Sequence, residues 1–420
     1  MSEPEIVNPI PVDDVPDWLA NLSTAFLQDA SSESHRHYVA ARRRNWIPDR
    51  AWGAQDRGRW IATLATQPRV LTVPGRDGTT TDLDVDALTN VTVNATHRRR
   101  GLLTTMLGRS LEAARDRGEP LSMLVAAEWP IYGRFGYSCA VQGANYTYFM
   151  RPPNAKIERA TGGSVRQVSA EQFGAIAPTV YERARRLRAG QVDRHDPWWN
   201  RRLGLDGYGA NYAGPHPYRY VHEAADGPDG LLSWAPCRDF DLDGSLGAIK
   251  VEDLVAVTDE AYRNLWAYLG GLDVVSEVVL RDRPTDEPAR WLMPDGRALR
   301  QDYTGDWLWL RLLDIPASLM ARSYAVPGQL VLQVADEDIG GYGAGRFALD
   351  AAADGTSCRP TTGAADLQVS QRTLASVYLG ARTFAQARLA EGVDELTSGA
   401  LARADAMFAT GLAPWNATGF

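Results

Sequence analysis

Cysteine is scarce in this chain of 420 residues. Cys139, Cys237 and Cys358 lie far apart with no CxxC pair, which excludes a disulfide framework and points to a reducing compartment. Long apolar runs are missing as well. The longest stretch without a charge, 135–150, carries Ser, Gln, Asn and Thr and is too short and too polar to span a bilayer. Residues 1–18 are acidic and proline-rich and lack both the basic and the apolar region of a signal peptide, so a soluble cytoplasmic protein is expected. There is no basic excess either. Lys and Arg number 44 against 52 Asp and Glu, a net charge of −8, which argues against nucleic acid as the main partner. A mildly acidic surface suits cationic ligands and is also the ordinary charge of a soluble protein. What is present is globular: 45% apolar and 23% charged residues exclude wholesale disorder. At roughly 100–200 residues per domain, the length implies two to four domains.

Hydrophobic periodicity divides the chain. Residues 18–50 read as helical, with a basic segment at Arg42–Arg44. Strands are expected over 57–71, a turn-rich connection over 75–84 and a half-buried strand over 87–93. Leu102, Leu103, Met106, Leu107 and Leu111 keep one face of a helix over 99–115, and LSMLVAA at 121–127 is a continuous apolar strand. Strand, helix and strand in about 40 residues make a βαβ-like unit. A similar pattern recurs at 249–269, where LVAV at 254–257 precedes a helix capped by Thr258. It lacks a basic, glycine-containing turn, so it reads either as a duplicated unit that lost its ligand site or as an unrelated βα unit. The charged stretch 281–297 holds Pro284, Pro288 and Pro294 and a candidate strand at 291–293. Beyond it, 306–324 runs from aromatics into a helix, 328–336 and 345–351 alternate like antiparallel strands, and helices are expected at 371–379 and 402–410. This last piece reads as a separate α+β domain.

Two segments carry chemistry. In VTVNATHRRRGLLT, 91–104, a strand ends and a helix begins with Arg-Arg-Arg-Gly at the joint. Free N–H groups at a helix start bind phosphate, Gly101 lets the backbone come close, and the arginines add charge. By itself the pattern also fits a solvated basic helix start. The second segment, AAEWPIYGRFGY at 126–137, follows the buried strand. Taken by itself, Tyr132 there reads as a core aromatic beside a glycine turn. His97 reads as a loop histidine beside the basic turn rather than a base. Asp193, His195 and Asp196 are a weak metal pattern, and no metal is expected. Trp198-Trp199 is read as packing between domains, and Cys139 has no base beside it in sequence to make it a nucleophile.

The first segment resembles the acetyl-CoA pyrophosphate signature of GNAT N-acetyltransferases, and IYGRFGY resembles the segment in those enzymes that carries the proton donor. With LVAVTDEAYRNLWAYL, DWLWLRLLDIPASLMARSY and the ending DAMFATGLAPWNATGF, the chain resembles the Eis (enhanced intracellular survival) family over nearly its whole length. The resemblance implies a mixed α/β and α+β architecture in three parts. These are a catalytic GNAT domain at 1–155, a degenerate GNAT-like domain at 156–295, and a sterol-carrier-like domain at 296–420 whose C-terminus enters the active site. It places acetyl-CoA contacts on Val91, Thr92, Val93, Arg99, Arg100, Gly101, Leu102, Leu103, Thr104, Ala127 and Glu128, the proton donor on Tyr132 and the base on the terminal carboxylate of Phe420. Leu103 departs from the Gly or Ala usual at its position. Trp129-Pro130 replaces residues that are often small, which narrows the expected acyl channel or acceptor cleft.

The activity implied is acetyl-CoA-dependent N-acetylation of polyamines such as aminoglycosides, by direct transfer in a ternary complex. Protein lysine is the rival acceptor, and a non-catalytic CoA- or lipid-binding protein is the reading from another class. A homo-oligomer, a hexamer by family resemblance, is expected.

Overall fold

The computed structural model describes residues 4–150, 156–205, 217–239, 246–335 and 343–420. The end of the first expected domain at 155 and the end of the expected strand at 336 lie outside the described residues.

The chain opens with β1 (Glu5–Val7), α1 (Val15–Ala25) and α2 (Glu33–Arg44). Ser32 caps α2, accepting from the His35 N–H. The strands β2 (Ala51–Asp56), β3 (Arg59–Pro74) and β4 (Thr80–Val93) form an antiparallel meander. The turn expected over 75–84 is confined to 76–78, and β4 starts at Thr80 because Thr80–Asp86 pairs with β3 in full register. Helix α3 (Leu102–Asp116) buries Leu102, Met106, Leu107 and Leu111 against Trp52, Ile61 and Leu88. β5 (Leu121–Val125), the single turn α4 (Trp129–Tyr132) and β6 (Ser138–Phe149) follow.

The middle of the chain contributes β7 (Ser164–Val168), α5 (Ala170–Arg185), α6 (Asp196–Leu203), β8 (Tyr218–Ala224), β9 (Gly227–Arg238), β10 (Gly247–Ala256), α7 (Asp259–Leu269) and β11 (Val275–Arg283). The parallel β10–α7–β11 unit matches the one expected there, with Thr258 as the cap of α7. The strand expected at 291–293 is a short 3-10 helix over Pro288–Leu292. Pro288 sets a helical φ at its start, and Trp291 is 82% exposed.

Twelve described strands join in one sheet of order β1-β2-β3-β4-β5-β12-β6-β11-β10-β9-β8-β7, where β12 is Leu299–Leu312. β12 lies beyond the boundary expected at 296, yet it runs antiparallel between β5 and β6 of the first unit, and β6 in turn pairs with β11 of the middle unit. The rest of the chain folds as α8 (Ile315–Ala321), β13 (Gly328–Ala335), β14 (Gly345–Ala352), β15 (Gly355–Pro360), β16 (Leu367–Ser370), α9 (Gln371–Val377), α10 (Phe384–Glu391), β17 (Val393–Glu395) and α11 (Ala400–Phe408). Its sheet has the order β15-β14-β13-β16-β17. Its core is continuous with Leu71, Val73, Val85 and Met123 of the first unit, so apolar burial ties the third unit to the first.

Candidate active site

The site begins where β4 leaves β5. The two strands pair in parallel at Asp86↔Ser122, Ala87↔Met123 and Leu88↔Leu124, and no further pair forms although β4 continues to Val93. On its other side β4 stays held by β3. Asn90 adopts φ 57°, the register shifts there, and the Thr63 hydroxyl meets the Asn90 carbonyl and Thr92 Oγ1, each at 2.7 Å. The edge carrying Val91, Thr92 and Val93 is therefore rigid and faces a gap. Unpaired backbone groups along such an edge are donors and acceptors for an extended ligand.

At the mouth of the gap the basic turn runs into α3. Arg99 has φ 64° and Gly101 φ 80°, and no side chain caps the helix. The N–H groups of Leu102, Leu103 and Thr104 thus lack intrahelical acceptors, which makes an anion cradle. Arg99, Arg100 and Gly101 are exposed, whereas the Leu102 side chain is buried in the core, so Leu102 can contribute only its backbone. Ala127 and Glu128 are exposed at the end of β5. Trp129 packs edge-on against Trp309 at 4.9 Å, fixing a largely exposed indole at the start of α4.

The left-handed φ at Gly101 disfavours any side chain, by about 1–2 kcal/mol, and a Cβ there meets nothing within 4 Å. Gly101→Val is expected to weaken CoA binding roughly tenfold or more, a loss of at least about 1.4 kcal/mol, in a domain that still folds. Calorimetric titration with CoA measures this, and unchanged affinity would place the diphosphate elsewhere.

The corresponding joint in the second unit is closed. Thr258 Oγ1 accepts from the Ala261 N–H at 3.1 Å, and Asp259 and Glu260 stand in the first turn of α7, so a capped, acidic helix start replaces an open, basic one. The Leu254 carbonyl, beyond the last β10–β11 pair, accepts from Arg283 Nη1 at 2.8 Å. The chain's own guanidinium takes the place a ligand would need.

Tyr132 is 6% exposed, with its ring 6.2 Å from that of Tyr137. Val91 and Val93 pack against the same apolar cluster. Among the described residues its hydroxyl has no hydrogen-bond partner. Burial, and secondarily Glu128, push the phenol up to about 12, so it stays protonated and able to donate. His97 is held elsewhere, with Nε2 3.3 Å from Asp56 and Nδ1 2.8 Å from Thr96.

Phe420 reaches the same region from the far end of the chain. Its backbone oxygen accepts from Thr89 Oγ1 at 3.4 Å, one residue past the last β4–β5 pair. The tail is anchored by residues that sequence reasoning missed. Arg194 donates to Thr418 Oγ1 at 3.0 Å and pairs with Asp253 at 2.6 Å, and Tyr181 lies 2.8 Å from Thr418. A cavity of about 570 Å³ opens at Phe420, walled by α2, the middle of β3 and α6. That volume suits a small molecule. Arg42, Arg69, His195 and Trp198 belong to this wall. The basic run at 42–44 is visible in the sequence, but its meeting with His195 is not. Trp199 is buried in the core of the middle unit beside Phe173 and Tyr181, while Trp198 faces the cavity. Among the described residues no metal-binding cluster forms around His195, whose Nε2 lies 2.7 Å from Arg69 Nη2.

Residues 7–140 match a family described as an acetyltransferase (GNAT) domain, 190–312 match a second acetyltransferase (GNAT) domain family, and 315–417 match a sterol carrier protein domain. The chain is 36% identical over 405 residues to an uncharacterised N-acetyltransferase of Streptomyces griseus, covering 95% of each protein. It is 33% identical over 352 residues to N-acetyltransferase Eis of Mycobacterium tuberculosis, covering 81% of each. The crystal structure of Eis1 from Mycobacterium abscessus superposes with a TM-score of 0.83 at 31% identity, covering 100% of both chains.

Proposed function

The chain belongs to the Eis family of GNAT N-acetyltransferases, and from that premise we propose that it moves the acetyl group of acetyl-CoA to an amine by direct attack in a ternary complex. The observation that carries this reading is the arrival of Phe420 at Thr89, where β4 parts from β5. The open basic start of α3 supports a diphosphate site for CoA on Arg99, Arg100 and Gly101 and on the N–H groups of Leu102, Leu103 and Thr104. The gap edge at Val91–Val93, with Ala127 and Glu128 opposite, suits the pantetheine arm. A backbone N–H near Val93 polarises the thioester carbonyl. The neutral amine forms the new C–N bond as the C–S bond breaks. The terminal carboxylate of Phe420 takes the amine proton, directly or through water, and the Tyr132 hydroxyl donates to the departing thiolate. A phenol near 12 facing a thiol of about 8.5 supports hydrogen-bond donation over full proton transfer.

The middle unit, with its site closed, serves as scaffold for the tail. The family resemblance also supports a homohexamer acting in the cytoplasm. Among the described residues no helix is long and apolar enough to cross a membrane. Aminoglycosides are the acceptors suggested by the family, and protein lysine the rival. Both must reach the cavity at Phe420.

Release of free CoA thiol from acetyl-CoA across a panel of amines tests the reading. Turnover with intersecting initial-rate lines is expected, whereas parallel lines would indicate a covalent enzyme intermediate and overturn direct transfer. Burial penalises the Tyr132 phenolate, so its hydroxyl stays protonated through about pH 10. The rate ratio of wild type to Tyr132→Phe is accordingly expected to stay flat from about pH 7 to about pH 10. A ratio that collapses within that range would mean the hydroxyl ionises there.

A further inference from the structure

The cavity at Phe420 is lined by Arg42, Arg44, Arg50, Arg69 and Arg201 and, among the described residues, by no aspartate or glutamate. Arg50 is neutralised within the fold by Asp86 and Glu119. Arg42 and Arg69 are in a different position. Arg69 is 6% exposed and its Nη2 lies 2.7 Å from His195 Nε2. Among the described residues its Nε is buried without a partner, as is the Nε of Arg42. A guanidinium only donates, so His195 Nε2 must accept, and the neutral ring then carries its proton on Nδ1. Nδ1 is likewise buried without a partner.

Three residues of one wall therefore each hold a buried donor that no described group uses. Leaving a buried donor unsatisfied is costly, and such a wall is complementary to an acceptor atom that arrives with a ligand. The charge points the same way. Burial and the surrounding arginines hold His195 down to about 3, and burial with Arg42 lowers Arg69 to about 10 despite Asp193. Asp193 is itself engaged by the Val70 N–H at 2.8 Å.

Resting on the N-acetyltransferase reading above, we propose that the acceptor is an amine that also carries a carboxylate or phosphate. Arg42, Arg69 and the His195 Nδ1–H hold the anion, and the amine faces Phe420 across the same cavity. A polycation meets like charge in this wall and is a poor acceptor.

Matched pairs test this with the whole protein and acetyl-CoA: O-phosphoethanolamine against ethanolamine, an amino acid against its amide, and an aminoglycoside beside them. The anionic member of at least one pair is expected to have a kcat/KM at least about tenfold higher, and which pair responds separates phosphate from carboxylate. Arg42→Gln and Arg69→Gln are expected to bring the ratio within each pair close to one. Calorimetric titration with inorganic phosphate gives a second readout, with binding to wild type expected to weaken in Arg42→Gln. Efficient acetylation of the aminoglycoside or the neutral amines with no anionic preference would overturn the acceptor proposal and leave the acetyltransferase reading standing. Phosphate binding without turnover of any amine would overturn the acetyltransferase reading, and the acceptor with it. Should Arg69→Gln fail to fold, the wild-type pairs and Arg42→Gln still decide.

Discussion

Extending the chain beyond Phe420, or deleting Gly419 and Phe420, is expected to abolish acetylation while CoA binding and the melting temperature stay nearly unchanged. The separation follows from where the tail is held. Trp415 donates from its N–H to the Ala189 carbonyl at 3.0 Å and from Nε1 to the Asp282 carbonyl at 2.6 Å. Asn416 is fully buried and Nδ2 donates to the Thr418 carbonyl at 2.6 Å. Thr418 is gripped by Tyr181 and Arg194. Beyond Thr418, Gly419 is exposed and Phe420 adds only its partly buried ring and the Thr89 hydrogen bond, so removing the last two residues leaves the buried tail in place. The turn proposed for the diphosphate belongs to a different part of the first unit and keeps its shape. Added residues would instead move the carboxylate and fill the cavity in front of it. An N-terminal tag is expected to be harmless. Thiol release, CoA titration and melting, on protein confirmed by intact mass to be unprocessed, measure all three. Full activity in the extended protein would remove Phe420 from the mechanism. The next base to test would then be Glu128, since His97 is held by Asp56.

Tyr132→Phe is expected to lower kcat by about 10²–10³ with little change in the KM for acetyl-CoA. Only an oxygen is lost. The ring remains buried beside Tyr137, and no hydrogen bond among the described residues is broken, so neither stability nor the CoA path should suffer. The loss belongs to the transition state, where negative charge grows on sulfur. Equal CoA affinity by calorimetry together with the reduced kcat isolates it. Activity close to wild type would assign Tyr132 to packing alone.

Much of this was legible in the order of residues because the interactions are local. The α3 face of Leu102, Met106, Leu107 and Leu111 repeats at helical spacing and buries as that spacing requires. Gly101 stands where the chain adopts φ 80°, which a glycine after three arginines already advertises. The Thr258 cap and the acidic first turn of α7 likewise reveal a helix start unsuited to phosphate. A strand at 291–293 was misplaced because apolar content marks a strand only where a neighbour covers it, and Trp291 is left largely exposed.

The sequence by itself determined the local devices: the basic strand-to-helix joint, the IYGRFGY turn, the two βα units and the alternating strands of the last part. Spacing within about one turn of helix or one strand fixes each of them. Tertiary structure alone decided what meets what. It put β12 between β5 and β6, filled the second gap with Arg283, and brought Phe420 to Thr89 across 331 residues of chain. It also set Arg69 against His195 across 126 residues, which makes the cavity wall cationic in a protein whose net charge is −8. Net charge sums over the whole chain, whereas a ligand meets only the groups that packing turns toward one cavity, and no periodicity encodes that convergence.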